Sequence, residues 1–326
     1  MPGGRMTAYC PLAVAVSLAL MLALSACGPR PTIEASWPRA DAERTVAKPD
    51  VPVFWPLSGR PAPDARTASS RPVLVAVSGV PAGAPRAGLE AADVVYEMPS
   101  ASGSRLAALF QSLLPAACGP VIPAAPADAV IAGQYGAALA HTGASAPVPA
   151  GAVDAGRAAR GVAYSGSGSS VLADVASLTS AEDSSSAPAA LAFGRPRTQS
   201  EGVRVSAVGV PFSAGDAVEW RWDVGAGAFV RVVNGKPRSG AKGAPIHAVN
   251  VVVMWARPSR DTSAGLELID GGRASVFMDG RRFTGTWKAV GDAPPSLIGD
   301  SGHVLALLPG NTWFEVVPTA LNITLR

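Results

Sequence analysis

Asp93 and Glu97 bracket the run Asp93-Val94-Val95-Tyr96-Glu97, and Arg105 follows shortly after. The run alternates like a strand, which puts positions 93, 95 and 97 on one face. Two carboxylates on one face can divide general acid and general base work when their environments push their pKa values apart. Arg105 is close enough in the chain to pair with one of them. Asp93, Glu97 and Arg105 are therefore the candidate binding residues. The plainer alternative is that the carboxylates frame an edge strand facing water.

Other constellations are weak. His141, His247 and His303 are far apart in the chain and make no His-x-x-x-His, whereas a metal needs clustered ligands. Gly143-Ala144-Ser145-Ala146-Pro147 approaches a nucleophile elbow but ends in Pro, which lacks glycine's conformational freedom. Gly166-Ser167-Gly168 begins a dinucleotide fingerprint that Val171 does not complete. Cys118 sits in apolar company beside Gly119-Pro120, without a basic partner to favour thiolate, and reads as an inert buried thiol. No metal or cofactor is expected from this inventory, and it identifies no catalytic residue.

The N-terminus carries a different chemistry. Arg5 supplies a positive start, and Pro11 to Leu24 is an apolar run. It has the length of a signal-peptide core and is short for a bilayer span of about 20 residues. Leu24-Ser25-Ala26-Cys27 then matches a bacterial lipobox, in which the Cys thiol takes diacylglycerol through a thioether. Two or three acyl chains anchor stably where one is marginal. Residues 1–26 read as a lipoprotein signal peptide and Cys27 as the lipidation site. Residues 27–52 read as a flexible tether, polar and Pro-bearing.

Folded structure is expected from residue 53 on. Arg71 to Val77 reads as a buried strand, Ala87 to Ala92 as a helical turn, and Arg105 to Leu114 as either helix or strand. Residues 143–201, rich in Ala, Gly and Ser, read as loops and short helices. Strand signals then crowd the chain: 203–210, 218–223, 228–233, 247–255, 274–278, 281–286, 304–307 and 312–317. Asn234-Gly235 and Asp279-Gly280 are tight-turn signals. Trp220, Trp222, Trp255, Trp287 and Trp313 fall on these strands and read as core. The expected fold class is α+β: a mixed α/β N-terminal domain over 53–200, then a β-rich C-terminal domain over 201–326.

The chain of 326 residues has 48% hydrophobic and 16% charged residues, enough apolar material for a sizeable core. A net charge of +3, without a basic stripe, argues against a nucleic-acid partner.

Several traces together resemble the YerB-like lipoproteins, a two-domain family of unknown function. The N-terminal traces are Trp55-Pro56-Leu57-Ser58-Gly59, Arg71-Pro72-Val73, Pro85-Arg86-Ala87-Gly88-Leu89, Ala92 to Glu97, Ser104-Arg105, Phe110-Gln111-Ser112 and Gly119-Pro120-Val121. The C-terminal ones are Trp222-Asp223, Arg231 with Asn234-Gly235, Asn250 to Val253, Asp279-Gly280-Arg281, Gly285-Thr286-Trp287 and Pro309 to Pro318. The resemblance covers about residues 53–318. Family members carry an Asp-Asn pair where Ser78-Gly79 stand here. They carry an Arg-rich stretch where Ile122-Pro123-Ala124-Ala125-Pro126 stand, and a Pro-His-Asn element near Ala187-Pro188-Ala189. If those polar residues line a pocket in relatives, most of it is lost here, so the resemblance implies architecture before activity.

These readings converge on a membrane-anchored extracytoplasmic lipoprotein that is a non-catalytic binding module of the cell envelope. Its expected partners are the membrane, through lipid on Cys27, and the cell wall or an envelope protein. The alternative is a hydrolase or transferase of an envelope polymer that uses Asp93, Glu97 and Arg105.

Overall fold

The computed structural model describes residues 51–79, 87–101, 103–143, 164–165, 171–177, 190–194, 202–213, 216–240, 243, 245–259 and 265–326. Cys27, the signal peptide, most of the tether, Ser145 and Gly166-Ser167-Gly168 lie outside the described residues, as does most of 143–201. Among the described residues no helix is long and apolar enough to cross a membrane.

The N-terminal half supplies strands β1 (Val73–Ser78), β2 (Val94–Ser100), β3 (Gly103–Phe110) and β4 (Ala138–Ala140). Strands β5 (Tyr164–Ser165) and β6 (Leu172–Ala173) pair with each other. The chain continues through β7 (Val203–Arg204), β8 (Ala207–Ser213), β9 (Asp216–Asp223), β10 (Ala228–Val233), β11 (Lys236–Pro237) and β12 (His247–Ala248). It ends in β13 (Asn250–Ala256), β14 (Gly271–Met278), β15 (Arg281–Lys288), β16 (Ser296–Gly299), β17 (Thr312–Pro318) and β18 (Thr324–Leu325). The described helices are α1 (Ala65–Ala68), α2 (Pro126–Tyr135) and a single 3-10 turn at Leu89–Ala91.

Two sheets organise these strands. The larger runs β16-β15-β14-β13-β17-β2-β3-β1-β4, with β7 added on β15. The smaller runs β11-β10-β9-β8-β18, with β12 added on β10. The larger sheet crosses from one half of the chain to the other at the parallel pair β17–β2, whose register matches Thr312 to Val94 and Glu315 to Glu97. The expected halves therefore share a sheet, and the described residues from 51 on belong to one compact unit.

The larger sheet is covered on both faces. One core lies between the sheets and joins Val95, Leu106, Val253 and Trp313 to Val208, Trp220 and Phe229 of the smaller sheet. The other lies on the outer face, where Tyr96, Leu109, Val252 and Phe314 meet Ile131, Ala132 and Tyr135 of α2. Strands buried on both faces carry near-continuous apolar sequence rather than alternation. The helix-or-strand segment 105–114 is strand as far as Phe110, within β3, which is buried along almost its whole length, and 111–114 lie outside any strand. The α+β expectation holds only in part: the fold is mostly β, and the N-terminal half contributes little helix, chiefly one helix of 10 residues.

Local signals explain several boundaries. Asn234 and Gly235 (φ 51° and 76°) and Asp279 and Gly280 (φ 52° and 63°) take the left-handed conformations of tight hairpin turns. Helix α2 has Pro126 in its first turn and stops at Gly136, with φ of 60°. Residues 304–307 do not form the expected strand. They make isolated bridges at Val304 and Leu307.

Candidate functional site

The structure separates the three candidate residues. Asp93 is buried just before β2 and serves the backbone. Its Oδ2 accepts the Gln111 and Ser112 N–H groups at 2.8 Å each, and its Oδ1 accepts the Ser112 hydroxyl. Burial pushes its carboxyl above the ordinary carboxylate value, against the pull of the bonds from Ser112 and Gln111.

Arg105 faces the opposite side of the larger sheet. It pairs across strands with Met98, a member of the outer core. There its Nη2 donates to Asp128 of α2 and to the Pro123 carbonyl at 3.2 Å. Asp128 also accepts the Ala125 N–H at 2.8 Å, which holds the start of the helix. Burial pushes the Asp128 carboxyl up, with Arg105 opposing.

Glu97 points into the inter-sheet core, where its partner is Arg231 of β10 rather than Arg105. The Arg231 Nη2 donates to both oxygens of Glu97 at 2.6 and 2.7 Å. Both side chains are fully buried. Glu315 lies beside Glu97 in register, and Trp220 lies opposite Arg231 on β9. Two cross-strand pairs thus face each other between the sheets. The second contact is the Trp220 indole N–H donating to Glu315 Oε1 at 2.7 Å. Ser104 adds its hydroxyl to Glu97 Oε1 at 2.7 Å. The Arg231 guanidinium lies 5.3 Å from the Trp313 ring centroid, and Trp313 meets Trp220 edge to face at 5.0 Å.

This cluster is sealed, so a substrate cannot reach it. Its chemistry is cohesion: a charge pair with aromatic walls that ties the two sheets together. The trio Asp93, Glu97 and Arg105 does not converge on a common cleft, which removes the geometry that the hydrolase or transferase reading needed.

An open site lies elsewhere. A notch of about 430 Å³ is lined by Trp255, Arg257, Asp270, Gly271, Gly272, Arg273 and Thr319. It forms where β13 and β14 diverge. Their ladder ends at Met254–Ala274, although β13 runs on to Ala256 and β14 starts at Gly271. Past that point the Trp255 carbonyl accepts the Trp287 indole N–H at 3.0 Å. Gly272 is needed for this, since a Cβ there would lie 2.3 Å from the Trp255 oxygen. Arg257 and Asp270 form an exposed ion pair, and the Arg273 guanidinium lies 4.1 Å from the Trp255 ring centroid.

Among the described residues no group of three His, Cys, Asp or Glu side chains is placed to hold a metal ion. Cys118 is buried, and burial pushes its thiol far above the ordinary value. Trp220, Trp255, Trp287 and Trp313 are core residues as expected, while Trp222 is half-buried. Sequence reasoning missed Arg231 and Glu315 as site residues. The available signal was a charge inside an apolar strand: Ala228-Phe229-Val230-Arg231-Val232-Val233 and Thr312-Trp313-Phe314-Glu315-Val316-Val317. It also missed the notch, whose residues come from three separate segments.

Residues 57–188 match the family model described as the N-terminal domain of DUF3048, a protein of unknown function, and residues 208–314 match the model of its C-terminal domain. The chain belongs to the DUF3048 family. In DUF3048 terms, the Glu97–Arg231 pair joins the N-terminal domain to the C-terminal one. The fold is that of the crystal structure of YerB protein from Bacillus subtilis. The TM-score is 0.70 at 23% identity, over 83% of this chain and 99% of that one. The YerB-like resemblance read from the sequence is therefore correct. No curated protein matches the chain significantly.

Proposed function

We propose that this DUF3048 chain is exported, lipidated on Cys27 and held at the outer face of the cell membrane, where it acts as a non-catalytic binding module of the cell envelope. The observation that carries the reading is the lipobox Leu24-Ser25-Ala26-Cys27 directly after the apolar run from Pro11. Binding rather than catalysis is supported by the dispersal of Asp93, Glu97 and Arg105 into three separate structural roles. The partner class is the cell wall or another envelope protein.

Two measurements test it. Cells fed labelled palmitate should label the wild-type chain and not Cys27→Ser; an unlabelled wild type removes the anchor from the proposal. The protein should also pellet saturably with purified cell-wall sacculi, or capture a specific envelope protein on crosslinking. Failure of both overturns the binding role.

A further inference from the structure

We propose that the notch between β13 and β14 is a binding site for a small organic oxyanion, a carboxylate or a phosphate ester, gripped by Arg273. This rests on the binding-module reading but not on the lipid anchor. Three observations carry it.

The first is charge. The lining holds two guanidinium groups and one carboxylate. Asp270 is already engaged by Arg257. One positive charge, that of Arg273, is left uncompensated in the notch.

The second is geometry. Arg273 lies with its guanidinium over the Trp255 ring, and Trp255 itself is buried and held by its indole N–H bond to the Leu321 carbonyl at 2.8 Å. A guanidinium stacked on an aromatic face keeps its in-plane N–H fork free and loses little freedom when it binds. Arg273 makes no hydrogen bond or ion pair to a described residue, so the fork is available. Planar two-pronged recognition of carboxylate or phosphate is the chemistry such a fork serves.

The third is shape. The volume suits a small ligand rather than a single ion. Gly271 and Gly272 belong to the lining, and the lack of a Cβ there lets their backbone lie close against Trp255 and Trp287. The Trp287 hook holds the diverging backbone open, since it satisfies the Trp255 carbonyl where no strand does. Thr319, at the exit of β17, completes the lining.

The test is a titration of ¹⁵N-labelled full-length protein in detergent micelles with N-acetylglycine and, separately, methyl phosphate. The readout is the Trp255 indole N–H resonance, assigned from Trp255→Phe. A saturable shift with at least one probe is expected, and the probe that binds tells a carboxylate source from a phosphate source. Arg273→Gln and Thr319→Glu should each weaken binding about tenfold or more, the scale of a lost charge-assisted hydrogen bond. Arg221→Gln, on the smaller sheet, should leave it unchanged. No saturable shift with either probe, or full affinity in Arg273→Gln, overturns the proposal. If Arg273→Gln does not fold, Thr319→Glu alone decides. Pelleting with sacculi without anion binding would sink the notch and spare the binding module. Anion binding with no envelope partner would do the reverse.

Discussion

Two clusters of Arg, carboxylate and Trp occupy this molecule, and they differ in one respect. Around Arg231 the charges are sealed between two sheets, with Glu97, Glu315, Trp220 and Trp313 for walls. Around Arg273 the same residue types line an open notch. A buried ion pair is costly to break because removal of one partner strands the other in low dielectric. An exposed pair is screened by water and contributes little to stability. The sealed cluster therefore holds the fold, and the open one is free to hold something else.

The largest expected effect is at the sealed cluster. Arg231→Met should cost about 3–5 kcal/mol, because Glu97 is then left buried without its partner. Urea unfolding measures this, and the double variant Arg231→Met/Glu97→Gln should recover part of the loss. A cost near zero for Arg231→Met would erase the contrast between the clusters. Next, Trp220→Phe keeps an aromatic wall but removes the N–H donated to Glu315, at about 1–3 kcal/mol by the same measurement.

A second buried pair, Arg105–Asp128, refines the comparison through pH. Burial raises the Asp128 carboxyl above its ordinary 3.8, so the folded chain holds that proton more tightly than the unfolded one. Its contribution is complete below about pH 3.8 and is lost as pH rises through the folded value. Thermal unfolding followed upward from pH 3.5 should show that loss in the wild type and a flatter profile in Asp128→Asn; identical profiles would reject burial as the dominant influence. The smallest effect belongs to the open notch. Arg257→Gln should change stability by under about 1 kcal/mol, since its pair with Asp270 is exposed. A larger loss would mean that the notch also supports the fold.

The sequence revealed the strands better than it revealed their surroundings. Tight turns at Asn234-Gly235 and Asp279-Gly280 were legible because only certain residues tolerate positive φ there. The strand over 203–210 was read as continuous, but the chain pairs at 203–204 and resumes at Ala207. Helix α2 was not read at all. Its buried face includes Asp128 and Gln134 while its half-buried face includes Ala127 and Val130, so it lacks the apolar stripe by which a surface helix shows itself. The pairing of Glu97 was misread for a related reason. Period two correctly separates the faces of β2, but nothing in a local pattern says which distant strand supplies the countercharge. The notch depends on a place where two strands stop pairing, and sequence carries no local sign of that.

The parallel pair between β2 and β17 has a consequence for the order of events when the chain is made. One of the earliest strands finds its neighbour in one of the last. Synthesis proceeds from the N-terminus, so the edge of β2 stays bare until residues 312–318 have emerged, and Glu97 waits for Arg231 in the meantime. Folding with contacts this distant is slow to close. A chain cut short before Thr312 would keep that edge exposed, with its backbone groups ready to pair with another molecule. The last stretch of the family sequence is thus the stitch that closes the first.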